Sequence, residues 1–291
     1  MTSESDVPRL SVGDDLIVAP GCYDRVTVRL AAEAGIRTAY LGPFGVLSTM
    51  YGGIDSRRWS FRDYSEHIER VADKSPISLI ADGHIGVESE VGVSDIVSTL
   101  GACGVAAVAI EDREDFWQPM TADSFLSREG VRRHIKSALE ARPSDSMLLI
   151  VRTDYARISL DEALKRCEWF LEDGASLVMP LMSPFLSYSP TPMAYDERMK
   201  LHLRVIDLLG SRVVTHSPLG LDLTFADARR LGYAAYLIPQ LAMASLVPTV
   251  ALAFAALAGD QMKDFALSYE VVESRALAGR TGIEQWLSRR W

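Results

Sequence analysis

The chain has 291 residues, of which 48% are hydrophobic and 24% are charged, and its formal net charge at pH 7 is -9. This length suits one large domain with a sizeable core. The acidic balance argues against nucleic acid and against an anionic membrane surface as partners. A small anionic substrate stays compatible with it, because the local charge at a site matters more than the total.

The cysteine pattern and the first residues indicate a cytoplasmic protein. Cys22, Cys103 and Cys167 have no regular spacing, so they predict neither a disulfide framework nor a zinc motif. Reduced thiols in the cytoplasm are the simple interpretation. Residues 1–8 are polar and acidic and lack the apolar core of a signal peptide.

Short apolar runs alternate with amphipathic segments along the chain. Each run is continuously apolar, which is typical of parallel strands buried on both faces. The predicted strands are residues 16–20, 38–42, 77–81, 106–111, 147–152, 176–181, 212–215 and 234–238. The predicted helices are residues 25–33, 61–72, 90–100, 128–141, 160–172, 195–209, 225–231 and 243–258.

Eight strand–helix units in this order predict one α/β domain over residues 1–291, a (β/α)8 TIM barrel with 260–291 as a C-terminal helical extension. The main alternative is an open doubly wound sheet, which the lack of a G-x-G-x-x-G motif after the first strand disfavours. The apolar stretch 237–257 resembles a membrane span in length. Its prolines and the strand-like run before it favour a buried strand, loop and helix instead.

Charged residues gather where the predicted strands end, which is where a barrel places its active site. Asp82, Glu111 and Arg152 end the third, fourth and fifth strands, and Asp55 ends a long loop after the second. Carboxylates facing one cavity repel each other unless a cation joins them, and such ligands suit Mg²⁺ or Mn²⁺. The arginine suits a substrate carboxylate or phosphate. The set predicts a site for a small, doubly anionic acid, although each charge alone could equally cap a loop or pair with a basic residue.

Several runs of sequence resemble the isocitrate lyase and phosphoenolpyruvate mutase superfamily. They are V-A-P-G-C-Y-D at 18–24, G-G-I-D at 52–55, I-E-D at 110–112, and I-K-S-A-L-E-A-R at 135–142 followed by I-V-R-T-D at 150–154. The resemblance covers residues 15–260 and depends on the order and spacing of these motifs. It implies a barrel that often exchanges its last helix with a neighbour, giving homodimers or homotetramers.

The resemblance also implies roles for the charged residues. Asp82 would bind Mg²⁺ directly or through water, with Glu111 and Asp55 in support. Arg152 would hold the anionic end of a 2-oxo or 2-hydroxy carboxylate, the kind of substrate that the family cleaves or rearranges beside the carbonyl.

The chain departs from the family pattern in four places. His84 replaces the second aspartate of the D-x-D motif, which removes one negative charge from the metal site. Pro43 and Phe44 replace a Ser-Gly pair that usually cradles the substrate carboxylate, and proline has no amide hydrogen to donate. The loop at 113–119 lacks the cysteine motif of the lyases and the lysine and asparagine of the phosphonate enzymes. The sixth strand is apolar where lyases have a glutamate.

The remaining pattern is most similar to the oxaloacetate decarboxylase branch, which presents a polar residue on the seventh strand, where His216 stands. If His216 faces the cavity, a pKa near neutrality would suit proton transfer to an enolate; otherwise it packs locally. His84 is a metal ligand, an acid–base group or a replacement in an inactive site. Trp117 would shield the site from water or anchor its loop. The candidate substrate-binding residues are Tyr23, Gly42, Phe44, Gly45 and Trp117. The surface histidines are predicted to be His67, His134 and His202.

The leading hypothesis is a divalent-metal-dependent carbon–carbon lyase or decarboxylase that acts on a 2-oxo or 2-hydroxy carboxylate through an enolate. Arg152, His216 and His84 would be its catalytic residues. The bulky Phe44 and Trp117 predict a substrate larger or more apolar than oxaloacetate. Two alternatives stay open: a P–C bond enzyme of the mutase or phosphonopyruvate hydrolase type, and an inactive barrel that binds a small acid or a protein partner.

Overall fold

The computed structural model of the chain describes residues 10, 13, 15–53, 59–83, 92–113, 120–182 and 193–260. The predictions for Asp55, His84, Trp117 and the extension beyond residue 260 lie outside these residues. The strands are β1 (Ile17–Pro20), β2 (Thr38–Leu41), β3 (Ser78–Asp82), β4 (Ala107–Glu111), β5 (Leu148–Thr153), β6 (Leu177–Pro180), β7 (Val214–His216) and β8 (Ala235–Ile238). The helices are α1 (Arg25–Glu33), α2 (Pro43–Tyr51), α3 (Phe61–Ala72), α4 (Val93–Ala102), α5 (Arg128–Glu140), α6 (Leu160–Glu172), α7 (Tyr195–Leu209), α8 (Phe225–Leu231) and α9 (Leu241–Ala258).

All the paired strands are parallel. β2, β3, β4, β5 and β6 form one sheet in that order, and β1, β8 and β7 form a second. Isolated parallel bridges join Gly21 to Tyr40 and Val178 to Val213, one at each junction between the sheets. The predicted α/β class with parallel strands is therefore confirmed.

Each predicted strand and helix overlaps an observed one, with bounds that differ by up to three residues, but α2 was not predicted. Residues 43–51 were expected to belong to a long loop, and that expectation was wrong. Gly42 is the N-cap residue of α2 and Pro43 occupies its first turn, where the missing amide hydrogen costs nothing. Gly52 ends the helix in the left-handed conformation, at a φ of 72°.

The strands share one central cluster of buried side chains. Residues two apart on a strand point to the same side. The central cluster includes Ile80 of β3, Ala109 of β4, Ile150 of β5 and Val214 of β7. Two residues further along those strands stand Asp82, Glu111, Arg152 and His216. These four predicted site residues therefore lie on the side of the strands that faces the central cluster, at the carboxyl ends of the strands.

The chain divides into two compact units, Met1–Ala242 and Met243–Trp291. The strand, turn and helix predicted for residues 237–257 are present as β8 and α9. The expected burial of the helix was wrong, because no residue of α9 is buried. Among the helices that the structure describes, α9 alone has the length and composition of a membrane span, with 18 residues at a mean hydropathy of 2.1.

Candidate active site

Three predicted site residues meet at the ends of β3, β4 and β5. Glu111 and Arg152 are direct partners in the β4–β5 register. Nη1 of Arg152 lies 3.9 Å from Oδ2 of Asp82, and Nη2 lies 3.7 Å from Oε2 of Glu111. Asp82 and Glu111 are buried, and the Arg152 side chain is 15% exposed. The structure thus places two carboxylates around one guanidinium, as the sequence predicted.

A third carboxylate holds the same guanidinium most tightly. Nε and Nη2 of Arg152 donate to the two carboxylate oxygens of Asp154 at 2.6 and 2.8 Å. Such a two-point pair fixes the plane of the guanidinium. No role was assigned to Asp154 from the sequence, although its spacing of two from Arg152 was a usable signal. Arg152 is therefore the shared counterion of three carboxylates.

Tyr40 is a further site residue that the sequence reasoning missed. Its ring belongs to the central cluster, and its hydroxyl donates a hydrogen bond to Oδ2 of Asp82. Burial, followed by the charge of Asp82, raises the pKa of Tyr40 well above its ordinary value, so the phenol keeps its proton. Gly42 makes room for this ring, since a Cβ at that position would lie 2.7 Å from Cε1 of Tyr40.

The Glu111 carboxylate stands in an environment that disfavours its charge. Burial raises the pKa of Glu111 well above the ordinary value, and the neighbouring charge of Asp154 raises it further. The guanidinium of Arg152 opposes both effects. A carboxylate in such a place binds a proton or a metal cation more readily than one in water.

His216 ends β7 and is half-buried. Burial, and then the positive charge of Arg152, lowers the pKa of His216 to about 3. The expectation of a pKa near neutrality was therefore wrong, and the imidazole is neutral at pH 7. A neutral imidazole still offers one N–H donor and one nitrogen acceptor.

The predicted substrate-binding residues have different surroundings. Gly42 and Gly45 lie at the start of α2, beside the end of β2, and Phe44 in the same turn is 44% exposed. Tyr23 is buried, and its carbonyl oxygen lies 2.7 Å from Nε2 of His67. Burial favours a packing role for Tyr23, whereas Phe44 is exposed at the start of α2.

His202, predicted to be a surface residue, is fully buried, and that prediction was wrong. Its Nδ1 lies 2.6 Å from the hydroxyl of Tyr233, which connects α7 to the start of β8. Burial lowers the pKa of His202 to about 4, so this histidine is a neutral part of the core.

The residues at the strand ends fit a divalent metal by their donor chemistry. Within the described ranges, no group of three His, Cys, Asp or Glu side chains is arranged to hold a metal ion. Mg²⁺, however, needs only one or two protein carboxylates and completes its shell with water and substrate. Asp82 and Glu111 supply two hard oxygen donors from neighbouring strands. Burial and the charge of Asp154 raise the pKa of Glu111, and a nearby cation would stabilise its charged form.

Part of the chain is similar in sequence to a known protein family and to curated enzymes. The family model described as phosphoenolpyruvate phosphomutase matches residues 8–206. Oxaloacetate decarboxylase 2 of Pseudomonas fluorescens (strain Pf0-1) is 28% identical over 170 residues, which cover 57% of this chain and 58% of the relative. The 2,3-dimethylmalate lyase of Eubacterium barkeri is 26% identical over 167 residues, covering 56% of this chain and 57% of the relative. The chain thus spans less than two thirds of the length of these curated relatives.

Solved structures resemble the chain over most of its length. The crystal structure of 2,3-dimethylmalate lyase, described as a PEP mutase/isocitrate lyase superfamily member, has a TM-score of 0.71 at 22% identity and covers 91% of this chain and 93% of its own. Phosphonopyruvate hydrolase in complex with oxalate and Mg²⁺ has a TM-score of 0.69 at 22% identity, covering 92% of this chain and 94% of its own. At these identities the likeness concerns the fold.

Proposed function

Because this chain belongs to the phosphoenolpyruvate phosphomutase family, we propose that it is a carbon–carbon lyase or decarboxylase acting on a 2-oxo or 2-hydroxy carboxylate. The observation that carries the proposal is the cluster of Asp82, Glu111 and Arg152 at the ends of three neighbouring strands. The names of the relatives, a decarboxylase and a dimethylmalate lyase, support this reaction class.

The proposal includes a closed (β/α)8 barrel. The parallel bridges Gly21–Tyr40 and Val178–Val213 support closure at the two junctions between the sheets. The amide of Cys22 donates to the carbonyl of Tyr40 at 2.9 Å, which adds a hydrogen bond at the first junction. In such a barrel β7 faces the same cavity as β3, β4 and β5, and His216 joins the charged cluster.

In this proposal Asp82 and Glu111 would hold Mg²⁺ or Mn²⁺, with Asp55 and His84 as the further candidate ligands. A divalent cation, when bound, supplies positive charge that stabilises the enolate oxygen of a 2-oxo acid. Tyr40 orients Asp82 through its hydrogen bond, so that the carboxylate keeps one direction when the site fills.

Arg152 is assigned to the anionic end of the substrate. Two of its N–H groups are taken by Asp154, and its Nη atoms stand 3.9 and 3.7 Å from Asp82 and Glu111, beyond hydrogen-bond length. With the guanidinium held in place by Asp154, its remaining Nη donors would bind an incoming carboxylate on that side. His216, being neutral, donates or accepts one hydrogen bond at a substrate oxygen and stores no proton at pH 7.

Calorimetry tests this function. Metal-free protein is titrated with Mg²⁺ and Mn²⁺, with and without oxalate as an enolate mimic, for the wild type, Asp82→Asn and the control Asp161→Asn, whose side chain is 76% exposed. We expect binding that oxalate strengthens, that Asp82→Asn abolishes and that the control keeps. A following screen of 2-oxo and 2-hydroxy acids should detect a cleavage product. Failure of both binding and turnover would refute the proposal, and release of inorganic phosphate from phosphonopyruvate would favour the P–C bond alternative.

We also propose a cytoplasmic homodimer or homotetramer that exchanges its last helix. The exposed apolar side chains of α9 support an additional contact surface: Leu246, Val247, Leu252, Phe254 and Leu257 are 40–66% exposed. Sedimentation of the full chain without detergent should give an oligomer, and Leu252→Asp with Phe254→Asp should give a monomer. Recovery of the wild type in the membrane fraction would overturn the expected location, and an unchanged oligomer in the variant would overturn the role of α9.

A further inference from the structure

A buried arginine stands behind the active site, on the inner face of α6. The side chain of Arg166 is 5% exposed and that of its partner Asp112 is 1% exposed, with Nε of the arginine 2.5 Å from Oδ2 of the aspartate. Arg166 also donates through Nη2 to the carbonyl oxygen of Leu126. A guanidinium removed from water is tolerated only when it is paired in this way.

Aromatic rings enclose the same guanidinium. Its Cζ lies 5.1 Å from the ring centre of Tyr155 and 5.5 Å from those of Phe125 and Trp169. Arginine stacks on such rings while its N–H groups stay directed at acceptors in the plane. The carboxylate, the carbonyl and the three rings leave this side chain one orientation.

Asp112, the partner of Arg166, is adjacent to active-site residues of two neighbouring strands. Asp112 directly follows Glu111, and Thr153 directly follows Arg152. The amide of Asp112 also donates to the carbonyl of Arg152 at 3.2 Å. Since successive residues of a strand point to opposite sides, Glu111 and Arg152 face the cavity while Asp112 and Thr153 face α6.

We propose that Arg166 is a positioning residue of the active site, which sets the Glu111 carboxylate against the Arg152 guanidinium by holding Asp112 from behind the sheet. This inference rests on the proposed function for its catalytic consequence. Arg166 touches no substrate and acts through the ends of β4 and β5. A displacement of about 1 Å at such a site is enough to lower the rate by about 100-fold.

The chain offers a matched control. Arg128 lies over the same Trp169 ring at 5.5 Å and pairs with Asp173 and Glu172 at the end of α6, instead of with a strand-end residue. Arg166→Met, Arg166→Lys and Arg128→Met are therefore compared with the wild type for turnover of the acid found in the substrate screen. We expect kcat/KM to fall by about 100-fold in Arg166→Met, mainly through kcat, with partial recovery in Arg166→Lys and less than a twofold change in Arg128→Met.

Amide hydrogen exchange supplies a second, activity-independent measurement. In Arg166→Lys, exchange in peptides covering 107–113 and 148–153 should be at least about tenfold faster than in the wild type, while peptides covering 214–216 and 235–238 keep their rates. Arg128→Met should leave both regions unchanged. If Arg166→Met does not fold, Asp112→Asn replaces it in the kinetic comparison.

The outcomes separate this inference from the proposed function. A folded Arg166→Met or Asp112→Asn protein with wild-type kcat/KM would overturn the positioning role. Equal acceleration of exchange in all four strand peptides would overturn it too, since it would show a general loss of stability. A wild-type protein that turns over none of the acids would defeat the proposed function, and the exchange pattern would still decide whether Arg166 holds the ends of β4 and β5.

Discussion

Replacing Arg152 by methionine should destabilise the protein more than any replacement of a surface arginine. The substitution keeps most of the side-chain volume and removes the charge that Asp82, Glu111 and Asp154 share. Three buried carboxylates then face one another without a counterion, apart from any proton that they take up.

The structure gives the size of the effect. A pair of unit charges at about 4 Å interacts by about 4 kcal/mol at an effective dielectric constant of about 20, and Asp154 is closer than that to Arg152. The desolvation of the guanidinium and proton uptake by Glu111 offset much of this sum. Removal of one partner from a buried pair costs about 3–5 kcal/mol, and we expect Arg152→Met to fall in that range. For a chain of this size this corresponds to a decrease in Tm of about 6–10 °C.

Thermal unfolding by circular dichroism measures the effect, with Arg204→Met as the control. Arg204 pairs with Asp161 at 2.6 Å, but the two side chains are 54% and 76% exposed. Such a surface pair contributes little, so the control should shift the Tm by less than about 2 °C. Adding Asp154→Asn to Arg152→Met should restore part of the lost stability, because it removes one of the stranded charges.

An Arg152→Met protein as stable as the control would refute the reasoning, since the guanidinium would then not be the counterion of the cluster. A double variant less stable than Arg152→Met would show instead that Asp154 contributes through contacts other than this pair.

Three further predictions concern single contacts. In urea unfolding, Tyr40→Phe should lower the free energy of unfolding by about 1.5–3 kcal/mol, because the buried Asp82 carboxylate loses a donor. Tyr51→Phe removes a less buried bond to Asp63 and should lower it by less; equal effects would contradict the role of burial. Gly21→Ala should destabilise the protein by about 1–3 kcal/mol, because the added Cβ would overlap the Pro239 carbonyl. Gly53→Ala is the control and should be neutral, since its Cβ would meet no atom within 4 Å. A Gly21→Ala protein of unchanged stability would show that β1 and β8 can separate locally. In the folded protein the pKa of His202 is about 4, below its ordinary 6.5. Between about pH 6.5 and 4 only the unfolded chain takes up this proton, so the free energy of unfolding should fall by up to about 3 kcal/mol over that interval. Urea titrations of His202→Gln should show a shallower loss over that interval, and parallel curves for the variant and the wild type would contradict this origin.

The strands and most of the helices could be predicted from the sequence because each depends on a local pattern. Continuous apolar runs mark β3 and β4, and the same alternation that buries Ile80 and Ala109 directs Asp82 and Glu111 to one side. α2 was missed because proline and glycine are poor residues for a helix interior. The sequence signals for this helix are at its ends, where Pro43 occupies the first turn and Gly52 follows the last.

The remaining features depend on partners distant in sequence. His202 is buried by its contact with Tyr233, 31 residues away, so its helix alone could not reveal it. The low pKa of His216 comes from burial and from a guanidinium on another strand. Asp154 and Tyr40 were within reach of a sequence prediction, since alternation along the strands directs them toward the same side as Arg152 and Asp82.

The family match includes one part of the site and ends before another. Tyr40, Asp82, Glu111 and Arg152 all stand on the five-stranded sheet, inside the residues 8–206 that match the family. His216 stands on the three-stranded sheet, beyond that match. Because the charge cluster and His216 stand on different sheets, substitutions in β7 and β8 can alter the surroundings of His216 and leave the cluster in place. Chimaeras that exchange residues 207–240 between relatives would then inherit the reaction from one parent and the substrate preference from the other.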